Sequence, residues 1–242
     1  MTRWQPIRTF RQDMQVEPNQ RDYWCTYYGS HEAPVLPSQF ALFIANEIQT
    51  GELPQAGTIL DIGCGNGRDA LFFLGMGYQV RGLDQSGAAI EACRERLDDY
   101  TGDIRKRAAF VEGAADSPAS WDWLAQEVTG PVLVYARFFF HAVDQAAEAG
   151  VLAQIAKLLS QRGGALCAEF RTSKDIGNTK ATPCHYRRFI DPDVFALGVE
   201  RVGMRVVWQA EGQGMAKYLQ DDAYVARVIA QRPNPASPGA MP

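Results

Sequence analysis

The chain has 242 residues, 46% of them hydrophobic and 21% charged, which is material for one α/β domain with a well-filled core and excludes disorder for the bulk. Its net charge of −4 gives no basic stripe, which argues against a nucleic-acid partner. Cys25, Cys64, Cys93, Cys167 and Cys184 are scattered without a C-x-x-C pair, and no apolar run reaches membrane-spanning length, so disulfide, zinc and membrane classes are set aside and a cytoplasmic protein is expected.

Residues 1–37 form a polar and aromatic arm in which Tyr23, Trp24, Tyr27 and Tyr28 show no clear helical or strand period. Ser38 is placed to cap a helix from Phe40 to Gln49 that Gly51 stops. Thr58 to Ile62 reads as a buried strand, Arg68 to Gly75 as a helix and Tyr78 to Leu83 as a second strand, which makes one βαβ unit. Ser86 caps a helix with Ile90, Cys93 and Leu97 on its apolar face, and Ala108 to Val111 follows as a strand. The alternation then repeats with a helix around Trp121 to Val128, a strand from Pro131 to Ala136, and a long helix carrying Val151, Ile155, Leu158 and Leu159. Gly163 and Gly164 end that helix, Ala165 to Phe170 is a fifth strand, and Asp191 to Val202 is a helix. Met204 to Ala210 and Tyr224 to Ala230 close the domain as an antiparallel pair. Such alternation implies a mainly parallel sheet covered on both faces, spanning residues 38–231, with a Pro- and Ala-rich tail over 232–242 expected to be disordered.

The informative segment is Ile59-Leu60-Asp61-Ile62-Gly63-Cys64-Gly65-Asn66-Gly67-Arg68, which ends the first strand and opens a helix. Glycines there let the backbone turn sharply and approach a ligand, and the helix start supplies free N–H groups, so a nucleotide-like ligand is implied. Asp61 separates two candidates, because a carboxylate two positions before Gly63 repels a pyrophosphate but attracts a sulfonium and an ammonium. Asp84, at the end of the second strand, stands where a carboxylate can accept hydrogen bonds from ribose hydroxyls.

On D-x-G-x-G-x-G and the acid after strand two, the sequence resembles the class I S-adenosylmethionine-dependent methyltransferases, over roughly Ser38 to Ala230. The resemblance implies a Rossmann-like fold with a seven-stranded sheet, helices on both faces and an antiparallel last strand. It further implies S-adenosyl-L-methionine as cofactor and S-adenosyl-L-homocysteine as product. Asp61, Gly63, Gly65 and Gly67 would then line the methionine moiety, Asp84 the ribose and Gln85 the adenine side. Where many relatives place an Asp after strand three, this chain has Ala114, so the adenine contact is expected from backbone at Ala114 and Ala115 rather than from Asp116.

The acceptor is expected beyond the carboxyl ends of strands four and five. Strand four runs into Arg137-Phe138-Phe139-Phe140-His141; Arg137 and Phe138 are read as cofactor contacts, the rings as a dry wall around a cation, and His141 as a general base or an acceptor-positioning donor. The competing reading leaves the rings in the core with a satisfied histidine among them. Arg171, Arg187 and Arg188 follow strand five and suggest a small acceptor with a carboxylate or a phosphate- or phosphonate-type group, methylated on oxygen. Tyr28 belongs to an arm that closes over the site as a lid, or else packs on the domain permanently. Tyr-Trp near the start, Pro-Ser-x-Phe-Ala at 37–41, Arg-Phe-Phe-x-His-Ala at 137–142, Glu-Phe-Arg at 169–171 and Tyr-Arg-Arg at 186–188 further resemble small-molecule methyltransferases of polysaccharide-modification and phosphonate-type biosynthesis. The alternatives are N- or O-methylation of a neutral molecule with His141 as base, an NAD(P)-dependent oxidoreductase, and a non-catalytic cofactor-binding module.

Overall fold

The computed structural model describes residues 20–30, 34, 36–182 and 185–232. The expected disordered tail, apart from Arg232, and the first nineteen residues of the arm lie outside them.

Nine strands and eight helices are described. The strands β1 (Thr58–Ile62), β2 (Gln79–Asp84), β3 (Ala108–Glu112), β4 (Val132–Arg137), β5 (Gly164–Arg171), β6 (Arg205–Gly212) and β9 (Val225–Gln231) form one sheet in the order β3-β2-β1-β4-β5-β9-β6. The first five are parallel, and β9 runs antiparallel to both β5 and β6. A short hairpin pairs β7 (Lys217–Tyr218) with β8 (Asp221–Asp222). The sequence expectation holds for this sheet, its closing antiparallel pair included.

Side chains alternate between the two faces of every strand, and two cores result. Leu60, Ile62, Val134, Ala136, Leu166 and Ala168 pack beneath α6 (Pro118–Glu127), α7 (Gln145–Arg162) and α8 (Pro192–Arg201). Ile59, Leu133, Tyr135, Ala165 and Cys167 pack beneath α2 (Gln39–Thr50), α3 (Arg68–Gly75) and α4 (Gly87–Leu97). This second face turns polar at the carboxyl ends of the strands, because the same alternation puts Asp61, Arg137, Glu169 and Arg171 there. Sheet order reverses between β1 and β4, and a crevice opens at such a switch point.

Two helices escaped the sequence reading. A four-residue α5 (Gly102–Arg105) precedes β3, and the aromatic arm is itself helical, α1 (Gln20–Ser30). The caps behaved as expected: Ser38 Oγ accepts from the Ala41 amide at 3.0 Å, and Gly51 ends α2 in the left-handed region at φ 84°.

Candidate active site

The turn from β1 into α3 has Gly63 at φ 71°, Gly65 at φ 54° and Gly67 at φ 73°, a left-handed run that L side chains resist. A Cβ on Gly63 would stand 3.0 Å from the Phe139 ring, and one on Gly67 would stand 2.8 Å from Cys93 Sγ. Gly63, with Cys64 and Asn66, lines a cavity of about 340 Å³ at the switch point, whereas Gly65 and Gly67 shape the loop from behind.

Asp84 ties this loop to β2. One carboxylate oxygen accepts from the Gly65 amide and the other from the Ser86 amide, each at 2.9 Å, and both oxygens keep lone pairs for hydroxyl donors. Burial raises its pKa, and the two amides together with that of Gln85 oppose the rise. Asp61 is only 3% exposed and accepts no hydrogen bond from any described residue. Burial first, then the carboxylates of Asp69 and Asp84, pushes its pKa well above the ordinary carboxyl range. Asp69, in the first turn of α3, is satisfied: it accepts from the Ser38 amide and hydroxyl at 2.7 Å each and from Tyr135 Oη at 2.8 Å.

An unpartnered buried carboxylate beside a glycine turn fits a ligand with a positive charge, and an acid at the end of β2 fits a ribose. S-adenosylmethionine has the chemistry for both requirements, an ammonium and a sulfonium that a carboxylate attracts and a ribose whose hydroxyls can donate. Gln85, Ala114 and Ala115 line the same wall, and so does Asp116, which the sequence reading set aside. Sequence reasoning also missed Arg68, Asp69 and Tyr135 as lining residues. Their signal was position: the first two sit in the first turn after the glycines, and Tyr135 is two residues before Arg137 on one strand face.

Helix α1 lies across this end. Arg21 pairs with Glu112 at 2.5 Å, Cys25 Sγ accepts from Ser86 Oγ at 3.5 Å, and Trp24, Tyr27 and Tyr28 line the cavity. Tyr28 Oη covers Gly65 so closely that a Cβ there would overlap it. Gly65→Ala is therefore expected to push α1 off the glycine loop, which tryptic cleavage at Arg21 measures as faster loss of intact protein. An unchanged cleavage rate in a folded variant would mean that the contact with Tyr28 does not hold the helix.

At the other end, Glu169 is fully buried between Arg137, at 3.1 Å, and Arg227, at 2.8 Å, on neighbouring strands. Phe138 takes φ 57°, a conformation that costs about 1–3 kcal/mol for such a residue, and its ring faces the guanidinium of Arg137 at 4.3 Å. His141 is 4% exposed in a short 3-10 turn, and its Nδ1 accepts from the Arg171 amide at 3.1 Å. Burial, followed by the positive charges of Arg171, Arg187, His185 and Arg137, holds its pKa well below the ordinary imidazole range.

The three arginines of the sequence reading separate here. Arg171 lines the cavity, but its guanidinium is bonded to Asp175 at 2.6 Å and to Asp221 at 2.5 Å, so two carboxylates already neutralise it. Arg188 does not line the cavity; it reaches Glu148 at 3.0 Å and the Val143 carbonyl at 3.3 Å. Both guanidiniums thus have carboxylate partners, which sit 4, 50 and 40 residues away in sequence. Arg187 is different. It lines the cavity, bonds Thr182 at 2.7 Å and His185 at 3.3 Å rather than a carboxylate, and its buried Nε has no partner among the described residues.

The reversal in sheet order, the glycine turn at its switch point and the two acids above it define a class I methyltransferase fold. Residues 60–165 match the methyltransferase domain family. A glycopeptide N-methyltransferase solved with S-adenosyl-L-methionine superposes with a TM-score of 0.60 at 20% identity, covering 84% of this chain and 98% of that one. Magnesium protoporphyrin IX methyltransferase from Synechocystis superposes with a TM-score of 0.57 at 15% identity, over 80% and 81% of the two chains. In sequence, the chain is 34% identical over 87 residues to ribosomal RNA small subunit methyltransferase H of Gemmatimonas aurantiaca, a match that spans 36% of this chain and 25% of that relative. A methyltransferase-domain match over residues 60–165 thus sits within a fold that this chain shares with solved methyltransferases. No helix among the described residues is long and apolar enough to cross a membrane.

Proposed function

We propose that the protein methylates an oxygen of a small acceptor carrying a carboxylate or a phosphate- or phosphonate-type group, and that it does so in the cytoplasm. The observation that supports this reading is Arg187, a cavity-lining guanidinium that forms no direct ion pair with a carboxylate among the described residues, whereas Arg137 and Arg171 each do. A fork of that kind matches the paired oxygens of an oxyanion. The four described cysteines are free thiols, in keeping with a reducing compartment.

Bound S-adenosylmethionine supplies an electrophilic methyl group, which an ionised acceptor oxygen takes as the carbon–sulfur bond breaks with its electron pair left on sulfur, so no proton has to move. The chain's own residues orient and exclude water. Asp61 and Asp84 hold the charged and ribose ends of the cofactor, Phe138 and Phe139 wall off the reacting face, and α1 acts as a lid carrying Trp24, Tyr27 and Tyr28. Arg187 fixes the acceptor.

A panel of small carboxylates, phosphates and phosphonates, set against neutral alcohols and amines, tests the reading with S-adenosylhomocysteine formation as readout. Turnover is expected among the anions. Turnover confined to neutral alcohols or amines would overturn the oxyanion acceptor.

A further inference from the structure

We infer that His141 is a fixed hydrogen-bond donor rather than a base, and that its Nε2–H and the Arg187 guanidinium form a two-point site for the acceptor's oxyanion. This rests on the acceptor reading above and gives it a second contact and a protonation state. The argument begins with the Arg171 amide, which can only donate, so the Nδ1 that receives it at 3.1 Å carries a lone pair and no proton. A neutral ring then has its hydrogen on Nε2. That atom makes no hydrogen bond with any described residue, and the ring is part of the cavity wall together with Arg187.

Protonating Nδ1 would break the Arg171 amide bond in a buried site, so the second proton is resisted by geometry as well as by charge. The charged groups around the ring come from three directions: Arg137 from β4, Arg171 from β5, and Arg187 with His185 from the segment after β5. On the remaining side the Phe138 ring stands 5.0 Å away, edge to face. Burial and these four positive groups disfavour an imidazolium. An Nε2 that already holds its hydrogen cannot take one from an acceptor hydroxyl, and it can only donate. Donation to an oxyanion beside a guanidinium leaves a second oxygen of a carboxylate or phosphate free to react.

The test uses the full-length protein with S-adenosylhomocysteine and 15N-labelled imidazoles. Across roughly pH 5.5 to 8, where an ordinary histidine titrates, His141 is expected to stay in the Nε2–H form without titrating. Added methylphosphonate, inorganic phosphate or acetate should shift its Nε2 signal saturably, with affinity at least about tenfold weaker in Arg187→Ala, the scale of one charge-assisted contact. His141→Gln keeps an N–H at similar reach and should retain anion affinity within about threefold, whereas His141→Ala should lose about tenfold or more. Titration of His141 in this range, an Nδ1–H tautomer, or Gln as deficient as Ala would overturn the donor assignment even where anions bind. A fixed Nε2–H tautomer with no anion binding at all would instead overturn the two-point site and the oxyanion acceptor with it.

Discussion

Asp61→Asn should cost the protein its cofactor and make the cofactor-free protein more stable. The wild-type carboxylate is buried, is raised in pKa first by desolvation and then by Asp69 and Asp84, and accepts no hydrogen bond from a described residue. An unpaired buried charge destabilises a fold, and a neutral isostere removes that penalty, here worth about 1–3 kcal/mol. For a domain of this size, that is an upward shift of roughly 2–10 °C in Tm. The sign with pH follows from the raised pKa. The protonated carboxyl stabilises the folded state at low pH, and this contribution is lost as pH rises through the folded-state value. The advantage of Asn should therefore grow as pH rises above the ordinary carboxyl range and fade as pH falls toward it. With S-adenosylmethionine the order reverses: loss of the charge facing its ammonium and sulfonium should weaken binding by about 1.5–3 kcal/mol, or roughly 10- to 150-fold by calorimetry. A variant that binds the cofactor normally would remove Asp61 from the cofactor site.

The fold was legible because its rules are local. Strand and helix alternation, Ser38 and Ser86 as caps, and glycines at left-handed positions each carry their own signal along the chain. The helix α1 was missed because its four aromatics were read as a run without a period, although positions 23, 24, 27 and 28 fall on one helix face. Their signal was the i, i+4 spacing of Tyr23 with Tyr27 and of Trp24 with Tyr28, which places two ring pairs 6.3 and 5.9 Å apart. Its partners are tertiary: Glu112, Ser86 and His185, the last stacked on Tyr23 at 4.5 Å. The acceptor end was the least legible part. Arg171, Arg187 and Arg188 look alike in sequence, and what distinguishes them is the placement of Asp175, Asp221 and Glu148, which only the packed sheet and α7 determine.

The second large effect is expected at Arg187 and depends on that distinction. Arg187→Ala removes a charge that forms no direct ion pair among the described residues and is attracted to Asp221 and Asp175 only at longer range, so the fold and S-adenosylmethionine affinity should change little. The acceptor should lose a charge-assisted, forked contact, about 1.5–3 kcal/mol or roughly 10- to 150-fold in kcat/KM. Arg187→Lys should recover part of this loss, because it keeps the charge and gives up the fork. Arg171→Ala provides the contrast. It would leave Asp175 and Asp221 without their arginine in a buried site, and breaking such a pair costs about 3–5 kcal/mol, so its first symptom should be a lowered Tm with or without acceptor. Thermal melts and acceptor kinetics on the two variants separate a binding charge from a structural one. If Arg187→Ala is kinetically silent on an anionic acceptor while cofactor binding is intact, the unpaired guanidinium is not the acceptor's partner.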